Sequence, residues 1–418
     1  MREPFWLRDV TFPATDPEPP ARVDVAVVGA GITGLSAAGT LGRAGAHVAV
    51  LEAGPLGAGA SAANGGTVSV GLSGNPDALR RRLGTRAADR YRDLGVEAVE
   101  NTVALASRMP GAAGLERGGR LKLALTARSM RALEAQAAGV GARGPVLRLL
   151  DRAEVAGETE VAGAIGGLVE DRSAMLHPGR FLAGLAAMAR DAGAHLVPLC
   201  PVEAIRTCAD GFRLRHRFGE TRASAVILAV NGYAGGLFPA ANRRIFPVGS
   251  HVAVTGPLDP DLARRIAARR RTYTIARHFP NYWRMTPCGR LLFGGRASLD
   301  PDLPVARAEV EMRAAFVRLL PAAAHVPFET VWGGRLGFTF DRVPCAFRLG
   351  GMIVAGGYSG HGLPFAPLLG EAAARLALGR APADDPLVSE PPAFPLPLPR
   401  PWFLPLVAGW YRLLDRLS

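Results

Sequence analysis

The chain contains 418 residues, which at ~150 residues per domain predicts two or three domains and enough material for a large core. Hydrophobic residues make up 49% of it and charged residues 20%, a balance that excludes a disordered or fibrous protein. Because no uncharged apolar run approaches the ~20 residues that span a bilayer, we expect a soluble, globular protein without a transmembrane segment.

The formal net charge is +13, but it is carried almost entirely by arginine, Lys122 being the single lysine, and it is spread along the chain. Nucleic-acid-binding proteins concentrate Lys and Arg on one face or helix, usually beside stacking aromatic residues. The densest groups here, residues 80–82 and 269–271, lie in otherwise ordinary helical stretches. We therefore expect no nucleic-acid partner, and a non-enzymatic basic binding module is the most remote alternative for function.

The cysteines show neither the C-x-x-C pairs of a zinc site nor the density of a disulfide framework, which predicts reduced thiols and no metal site. They are Cys200, Cys208, Cys288 and Cys345. The start of the chain is polar and rich in proline where a secretory signal needs an uninterrupted apolar segment. We therefore expect a cytoplasmic protein.

The first regular elements form a β-α-β unit of about thirty residues. The β-branched run RVDVAVVG at 22–29 predicts a strand buried on both faces. A glycine-rich turn leads into a helix over 32–44, and Gly45 ends this helix before a second buried strand at 47–53. Such a unit is typical of a parallel sheet with helices on its faces.

The alternation of strand and helix then pauses and returns. The later predicted elements are a helix at 77–109, a strand at 120–126, a helix and strand within 181–205, a hairpin at 211–232, strands in 246–258 and 289–298 alternating with helices near 260–270 and 306–320, and a strand, glycine-rich turn and helix at 351–379. We detect no internal repeat.

This order fits two discontinuous domains, a doubly wound α/β domain and a sheet-rich domain built from two insertions. The predicted division is a lead at 1–21, the α/β domain at 22–80, 166–234 and 331–380, the sheet-rich domain at 81–165 and 235–330, and a proline-rich tail at 381–418.

The motif GAGITG places Gly29, Gly31 and Gly34 between the first strand and the first helix. The first glycine permits a tight turn, the second lets a pyrophosphate approach the backbone, and the third lets helix and strand pack closely. The helix N-terminus adds unpaired N–H groups and partial positive charge. Glu52 ends the second strand, where a carboxylate can accept hydrogen bonds from a ribose diol. The pattern predicts dinucleotide binding.

The long small-residue loop GPLGAGASAANGG at 54–66 resembles the stretch that runs beneath the pyrophosphate and flavin in flavoprotein amine oxidases, and this resemblance implies a flavin nucleotide instead of a nicotinamide one. With this loop the chain resembles the D-amino acid oxidase/glycine oxidase (DAO) superfamily of FAD-dependent oxidoreductases, and within it the gamma-glutamylputrescine oxidase-like branch. The resemblance is carried by GAGITG, GASAANGG, AVILAVNGYAGGL and GGYSGHG and spans most of residues 22–380. It implies an α/β fold with a Rossmann-like FAD-binding domain, of the glutathione reductase/p-hydroxybenzoate hydroxylase type, and a sheet-rich substrate domain.

The resemblance also implies which residues contact FAD. They are Gly29, Ala30, Gly31, Ile32, Thr33, Gly34, Glu52, Ser61, Asn64, Gly65, Gly66, Val202, Gly232, Gly357, Gly360 and Gly362. Related enzymes that attach flavin covalently use a cysteine at the position of Gly334, so we expect non-covalent FAD. The helix after GGYSGHG is expected to present its positive end to the flavin.

The candidate catalytic residues are Arg284, Tyr282, His251, Tyr358 and His361. Arg284, Arg296 and Arg335 border the predicted substrate sheet and are expected either to lower the pKa of a substrate amine or to clamp a carboxylate. Glycine oxidase-like enzymes carry an arginine where this chain has Leu336. On a strand, the shift to Arg335 points its side chain to the opposite face, which favours a surface or domain-interface ion pair.

The resemblance implies hydride removal from a C–N bond of an amine or amino acid, giving an imine that hydrolyses to a carbonyl compound and an amine. A dehydrogenase that passes electrons to a quinone or carrier protein is the alternative. It is favoured because sarcosine oxidase-like relatives use a lysine beside the flavin to reduce dioxygen, whereas Lys122 lies in the first insertion. The sequence leaves the particular amine and the oligomeric state open.

The C-terminal segment mixes Pro, Trp, Leu and Arg. Its prolines are expected to break any long amphipathic helix, which predicts a tail packed along its own domain. Contact with a membrane surface is the alternative.

Overall fold

The computed structural model describes residues 3–71, 80–81, 84–109, 113–138, 146–277, 279–295, 298–395 and 401–417. Its strands are β1 (Arg22–Val28), β2 (Val48–Leu51), β3 (Thr67–Val68), β4 (Arg120–Ala124), β5 (Leu147–Leu150), β6 (Gly166–Glu170), β7 (Ala174–Met175), β8 (His195–Val197), β9 (Val202–Cys208), β10 (Gly211–His216), β11 (Gly219–Leu228), β12 (Phe246–Pro257), β13 (Thr272–Ile275), β14 (Asn281–Met285), β15 (Arg290–Gly295), β16 (Phe328–Phe338), β17 (Cys345–Leu349) and β18 (Met352–Gly356).

The helices complete the set of regular elements. They are α1 (Ile32–Arg43), α2 (Ala60–Ala63), α3 (Thr85–Ser107), α4 (Ala127–Ala138), α5 (Arg152–Ala156), α6 (Pro178–Asp191), α7 (Pro239–Asn242), α8 (Pro260–Ile266), α9 (Val305–Leu319), α10 (Gly362–Ala377) and α11 (Leu404–Leu417), with 3₁₀ turns at Phe5–Leu7, Asn231–Tyr233 and Pro321–Ala323. The predicted β-α-β unit, hairpin and final strand-turn-helix are confirmed within a few residues at each end.

The first sheet has the strand order β17-β18-β11-β1-β2-β8, with the β9–β10 hairpin joined to β11. Its central pairs, β11–β1, β1–β2 and β2–β8, are parallel, and every residue of β2 is buried. Helices α1, α6 and α10 pack on one side of this sheet, where their alanine- and leucine-rich faces share one core with β1 and β2. On the other side, β1 and β2 pack mainly against the β9–β10 hairpin. The predicted α/β class is therefore confirmed, but α1, α6 and α10 cover one face of the sheet, whereas a doubly wound domain has helices on both.

The second sheet has the order β16-β12-β15-β14-β13-β4-β6-β5 and is antiparallel apart from the β13–β4 pair. One face packs against α9 through a core that includes Phe293 and Phe316. On the opposite face, Tyr282, Val252 and Leu292 pack in a cluster with Trp6 and Ala63. The alternation of side chains along each strand therefore divides this sheet into a core face and a face directed at the site.

The two sheets draw their strands from segments scattered along the chain. Strands β6 and β16 lie in the second sheet, although the predicted division assigns most of their residues to the α/β domain. We propose the two-domain division with these two strands counted in the sheet-rich domain. The reason is that their backbone hydrogen bonds go to β4, β5 and β12 of that sheet.

The C-terminal segment forms a 14-residue helix, α11, which the proline argument did not predict. Pro405 lies in its first turn, where a missing N–H breaks no helical hydrogen bond. Leu404 and Ala408 are buried in a cluster with Phe246 and Phe338, as expected for a tail that packs on its own protein. Among the residues that the structure describes, none of the helices has the length and apolar character that crossing a membrane requires.

Candidate active site

A cavity of about 920 Å³ lies between the carboxyl ends of the parallel strands and the second sheet. Ligands of doubly wound proteins bind at this end of the strands. Of the residues predicted to contact cofactor or substrate, those that line the cavity are Gly29, Gly31, Ile32, Thr33, Glu52, Ser61, Asn64, Gly65, Val202, Tyr282, Tyr358, Gly360, His361 and Gly362. The two predicted halves of the site therefore meet in one cavity.

The GAGITG turn has the geometry that its glycines predict. Gly29 has φ +104°, in the left-handed region that disfavours other residues. A Cβ on Gly34 would lie 1.9 Å from the carbonyl oxygen of Gly29, so only glycine allows helix and turn to approach this closely. Helix α1 begins after Gly31, which provides no side-chain cap, and its first residues line the cavity. Its positive end therefore faces the cavity.

Glu52 is held by backbone donors at the end of β2. Its Oε2 accepts from the N–H of Ala30 at 2.8 Å, and its Oε1 accepts from the N–H of Gly54 at 3.0 Å. These bonds connect the predicted ribose carboxylate to the GAGITG turn. Val202 lies beside it on the cavity wall.

The loop around GASAANGG is organised by its polar side chains. The Ser61 hydroxyl accepts from the N–H of Ile32 at 3.0 Å, which joins the loop to the start of α1. The Asn64 side chain accepts from the N–H of Gly66 at 2.8 Å and donates to the carbonyl of Ser61 at 2.7 Å. Ser61 and Asn64 thus shape the loop in addition to lining the cavity.

Two buried tryptophans donate hydrogen bonds to backbone carbonyls of this loop. The indole N–H of Trp6 donates to the Asn64 carbonyl at 2.9 Å, and that of Trp332 donates to the Ala63 carbonyl at 2.9 Å. Trp6 comes from the predicted N-terminal lead and is fully buried. No local sequence signal connects it to a loop almost sixty residues later, so sequence reasoning missed it.

Arg284 supports the same loop instead of lining the cavity. One guanidinium nitrogen donates to the carbonyls of Gly66 at 2.9 Å and Leu176 at 3.0 Å, and the guanidinium lies over the Trp6 ring. Burial lowers the pKa of Arg284 to about 10. Arg284 therefore contacts the loop through the Gly66 carbonyl and does not itself line the cavity.

Three of the candidate catalytic residues are brought together. The Tyr282 ring lies directly against Gly65, since a Cβ on that glycine would come within 2.5 Å of it. The Tyr358 hydroxyl lies 2.5 Å from the hydroxyl of Thr33. His361 occupies the position before α10, which begins at the cavity without a side-chain cap.

The structure does not bring His251 to the cavity. Its neighbours on β12, Ser250 and Val252, line the cavity, so the alternation of the strand turns His251 to the opposite face. There the ring lies against Gly333 and burial lowers its pKa. Arg335 also points away and pairs with Asp302. Arg296 lies outside the described residues.

Five residues predicted to contact the cofactor do not line the cavity. They are Ala30, Gly34, Gly66, Gly232 and Gly357. Each is next in the chain to a residue that does line it. Gly357, for example, donates its N–H to the Asn231 side chain at 3.0 Å, and Asn231 itself lines the cavity.

Several lining residues were not predicted. On the second sheet they include Arg120, Thr272 and Thr274, which share one face of β4 and β13. Arg277 and Arg342 also reach the cavity from loops. The alternation in RLKLALT could have indicated a polar face, but which face meets the site depends on pairing with β13, about 150 residues away.

The residues present fit FAD. Two helices, α1 and α10, whose own N-cap residues provide no side-chain cap, direct their N-termini into one cavity, where a pyrophosphate and the electron-rich ring of a reduced flavin would be stabilised. The cavity size lies in the upper range of ligand sites. None of the four cysteines, all in described segments, lines it. When bound, FAD supplies a ring that accepts a hydride.

A parallel sheet with this glycine turn and a carboxylate at the end of the second strand defines a dinucleotide-binding protein. Residues 24–376 match the family model "DAO: FAD dependent oxidoreductase". The chain therefore belongs to the DAO family of FAD-dependent oxidoreductases, as its motifs predicted.

Individual relatives agree with this assignment. The chain is 31% identical, over 97% of both chains, to the probable oxidoreductase OrdL of Rhizobium meliloti. It is 31% identical to the gamma-glutamylputrescine oxidoreductase of Escherichia coli, over 94% of this chain and 93% of that enzyme. Its fold matches glycine oxidase from Geobacillus kaustophilus with a TM-score of 0.74 and 24% identity, over 88% of this chain and 97% of that one.

Proposed function

We propose that this FAD-dependent oxidoreductase removes a hydride from the carbon of a C–N bond in an amine or amino acid. The carbon–nitrogen bond becomes an imine, and water then converts the imine to a carbonyl compound and a free amine. The observation that carries the proposal is the contact of Tyr282 with Gly65. It joins the proposed flavin loop to a polar sheet face that can hold a substrate.

Hydride loss requires a neutral amine, whereas an alkylamine with a pKa of ~10.4 is protonated at neutral pH. Burial and nearby positive charge both lower such a pKa. Within the described residues the cavity is lined by Arg120, Arg277 and Arg342, and Glu52 is its single carboxylate. These arginines, rather than Arg284 or Arg335, are therefore the proposed source of that positive charge.

The assignment of individual residues is part of the proposal. Tyr282, Tyr358 and His361 are proposed to contact substrate or flavin, and Arg284 to hold the loop through Gly66. FAD is proposed to be bound non-covalently, since the cysteines lie elsewhere. The substrate is proposed to be a small-molecule amine, and gamma-glutamylputrescine is included in the test because a relative is named for it.

A dehydrogenase reoxidised by a quinone or carrier protein is a second candidate. It is favoured because Lys122 is the chain's single lysine and is not among the lining residues. Its ammonium group instead donates to Gln136 at 2.8 Å. No cavity-lining lysine is therefore available to assist dioxygen reduction.

Anaerobic mixing with substrates tests the function. Purified holoenzyme is mixed with gamma-glutamylputrescine, N-methyl amino acids and D-amino acids, and flavin absorbance near 450 nm is followed. Bleaching by one class supports the proposal, and the absence of bleaching by every class contradicts it. Dioxygen or a soluble quinone is then admitted. Peroxide release identifies an oxidase, whereas reoxidation by the quinone alone identifies a dehydrogenase.

A further inference from the structure

Arg120 is one of the three arginines that line the cavity, and it is buried. Its side chain is 9% exposed, and one of its terminal nitrogens donates to the Val70 carbonyl at 3.0 Å. Its Nε finds no acceptor among the described residues. A buried guanidinium with unused hydrogen-bonding capacity beside a cavity is suited to an anionic ligand.

The nearest carboxylate does not neutralise Arg120 at short range. Glu170 approaches to 4.0 Å, but its oxygens accept from the N–H groups of Arg172 at 2.7 Å and Ser173 at 3.0 Å and from the Ser173 hydroxyl. Glu170 is thus committed to its own turn. Glu170 is not among the residues that line the cavity, and Glu52, the single lining carboxylate in the described part of the chain, lies at the end of β2.

Residues with hydroxyl groups share this sheet face with Arg120. Thr272 pairs directly with Arg120 across β13 and β4, and Thr274 stands one step along the same face. Both line the cavity. The Thr272 hydroxyl lies 3.3 Å from that of Thr67, which also lines it. One guanidinium and several hydroxyls can share the two oxygens of a carboxylate.

The position of Arg120 in the sheet determines its distance from Tyr282, which contacts the proposed flavin loop. In the sheet order, β4 lies two strands from β14, which carries Tyr282 against the flavin loop. Two strand intervals correspond to about 10 Å. The Arg120 guanidinium is also bound to Val70, five residues beyond Gly65 along a segment that includes the extended strand β3. The strand separation and the hydrogen bond to Val70 both place the Arg120 guanidinium away from the proposed flavin.

We propose that Arg120, with Thr272 and Thr274, binds the carboxylate of a substrate whose oxidised amine lies several bonds away. This inference rests on the proposed function and narrows its substrate class to acids with a remote amine. In an α-amino acid the two groups are separated by a single carbon, too close to reach Arg120 and the flavin loop together.

Binding of matched acid and amide pairs tests the site independently of turnover. Glycine and the ω-amino acids from 3-aminopropanoate to 8-aminooctanoate are titrated into FAD-loaded protein by calorimetry, each beside its carboxamide. We expect one of the longer acids to bind about 10- to 100-fold more tightly than its amide, as one charge-assisted hydrogen-bonded contact would give. Glycine should show no such preference.

Arg120→Gln should abolish the preference for acid over amide because it weakens the binding of the acid alone. The FAD content of the protein should stay unchanged. Arg120→Lys, which keeps the charge but not the planar donors, should retain part of it and serves if the glutamine variant does not fold. Arg271→Gln is the matched control, since Arg271, directly before β13, is similarly buried beside Glu158 but does not line the cavity.

Two results would overturn the inference. One is that no acid in the series binds better than its amide. The other is that the preference persists in both Arg120 variants. Protein that takes up no FAD would instead contradict the proposed function. FAD-loaded protein that prefers acids but is bleached by no amine would contradict the proposed reaction and leave the carboxylate site intact.

Discussion

The hydroxyl group of Thr33 lies 2.5 Å from that of Tyr358, although the two residues are 325 positions apart in the chain. Thr33 stands in the first turn of α1, and Tyr358 precedes α10. Their hydrogen bond therefore connects the two helix N-termini that face the cavity. Burial raises the pKa of the Tyr358 phenol above its usual value, so the hydroxyl remains protonated at physiological pH.

Removing this bond should loosen FAD binding. Tyr358→Phe deletes the hydroxyl and keeps the ring, at a cost of about 1 kcal/mol, or roughly fivefold in the FAD dissociation constant. Flavin fluorescence during titration of the apoprotein measures it. Thr33→Val should have a similar effect, and the double variant should be little weaker than either single one. Fully additive losses would show that the bond does not couple the helices.

Gly34→Ala should prevent FAD binding altogether. The new Cβ would meet the Gly29 carbonyl oxygen at 1.9 Å, so α1 must move away from the turn that is proposed to receive the pyrophosphate. We expect colourless protein and a stability loss of about 1–3 kcal/mol from overpacking. Absorbance of the purified protein and denaturant unfolding are the measurements.

Gly39→Ala provides the control within the same helix. Its Cβ would meet the end of the Arg43 side chain at 3.3 Å and Ala189 at 3.6 Å, which flexible or ordinary contacts can accommodate. It should remain yellow and equally or more stable, because alanine favours helix. A yellow Gly34→Ala protein would refute the close-packing argument.

The parts of the site that could be predicted are those encoded locally. A β-branched strand, a glycine turn and a helix follow one another within about twenty residues, so GAGITG and Glu52 were placed from sequence alone. His251 shows the limit. Alternation along β12 separates it from Ser250 and Val252, but which set meets the cavity depends on how the whole sheet packs.

Arg284 and Trp6 illustrate a second limit. Both act on the Asn64–Gly66 loop through hydrogen bonds to backbone carbonyls. A carbonyl acceptor is available at every residue, so the sequence of the loop carries no mark of its partner. The same applies to Arg120, whose importance arises from the pairing of β4 with β13.

The C-terminal helix should be displaced by a charge on its buried face. Ala408 is 5% exposed in a cluster with Phe246 and Phe338, and Phe338 lines the cavity. Ala408→Arg should undock α11 because the guanidinium cannot be buried there without a partner. Limited trypsin digestion should then cleave the tail faster, by about tenfold if docking loses ~1.4 kcal/mol.

The neighbouring position gives the control for that experiment. Gly409 is exposed, and a Cβ there would meet nothing within 4 Å, so Gly409→Arg adds the same charge and cleavage site without disturbing the packed face. Equal cleavage of the two variants would mean that α11 does not depend on its contacts with Phe246 and Phe338. The Arg342 bond to the Tyr411 hydroxyl, 2.6 Å long, should be lost with undocking.

His177 should make the protein sensitive to acid. It is buried, its Nδ1 accepts from the N–H of Arg180 at 3.2 Å as the cap of α6, and burial lowers its pKa from 6.5 to about 4. The unfolded chain therefore binds a proton between pH 6.5 and 4 that the folded protein excludes. The contribution of His177 to the free energy of unfolding is complete above about pH 6.5 and falls as the pH drops toward 4, by at most about 3 kcal/mol.

His177→Asn retains a capping oxygen without titrating, so the unfolding free energy of this variant should decline less over this range. Denaturant unfolding at pH 7, 5.5 and 4.5 measures the difference, and the exposed His325→Asn variant should follow the wild type. If His177→Asn also follows the wild-type pH dependence, another group causes the acid sensitivity.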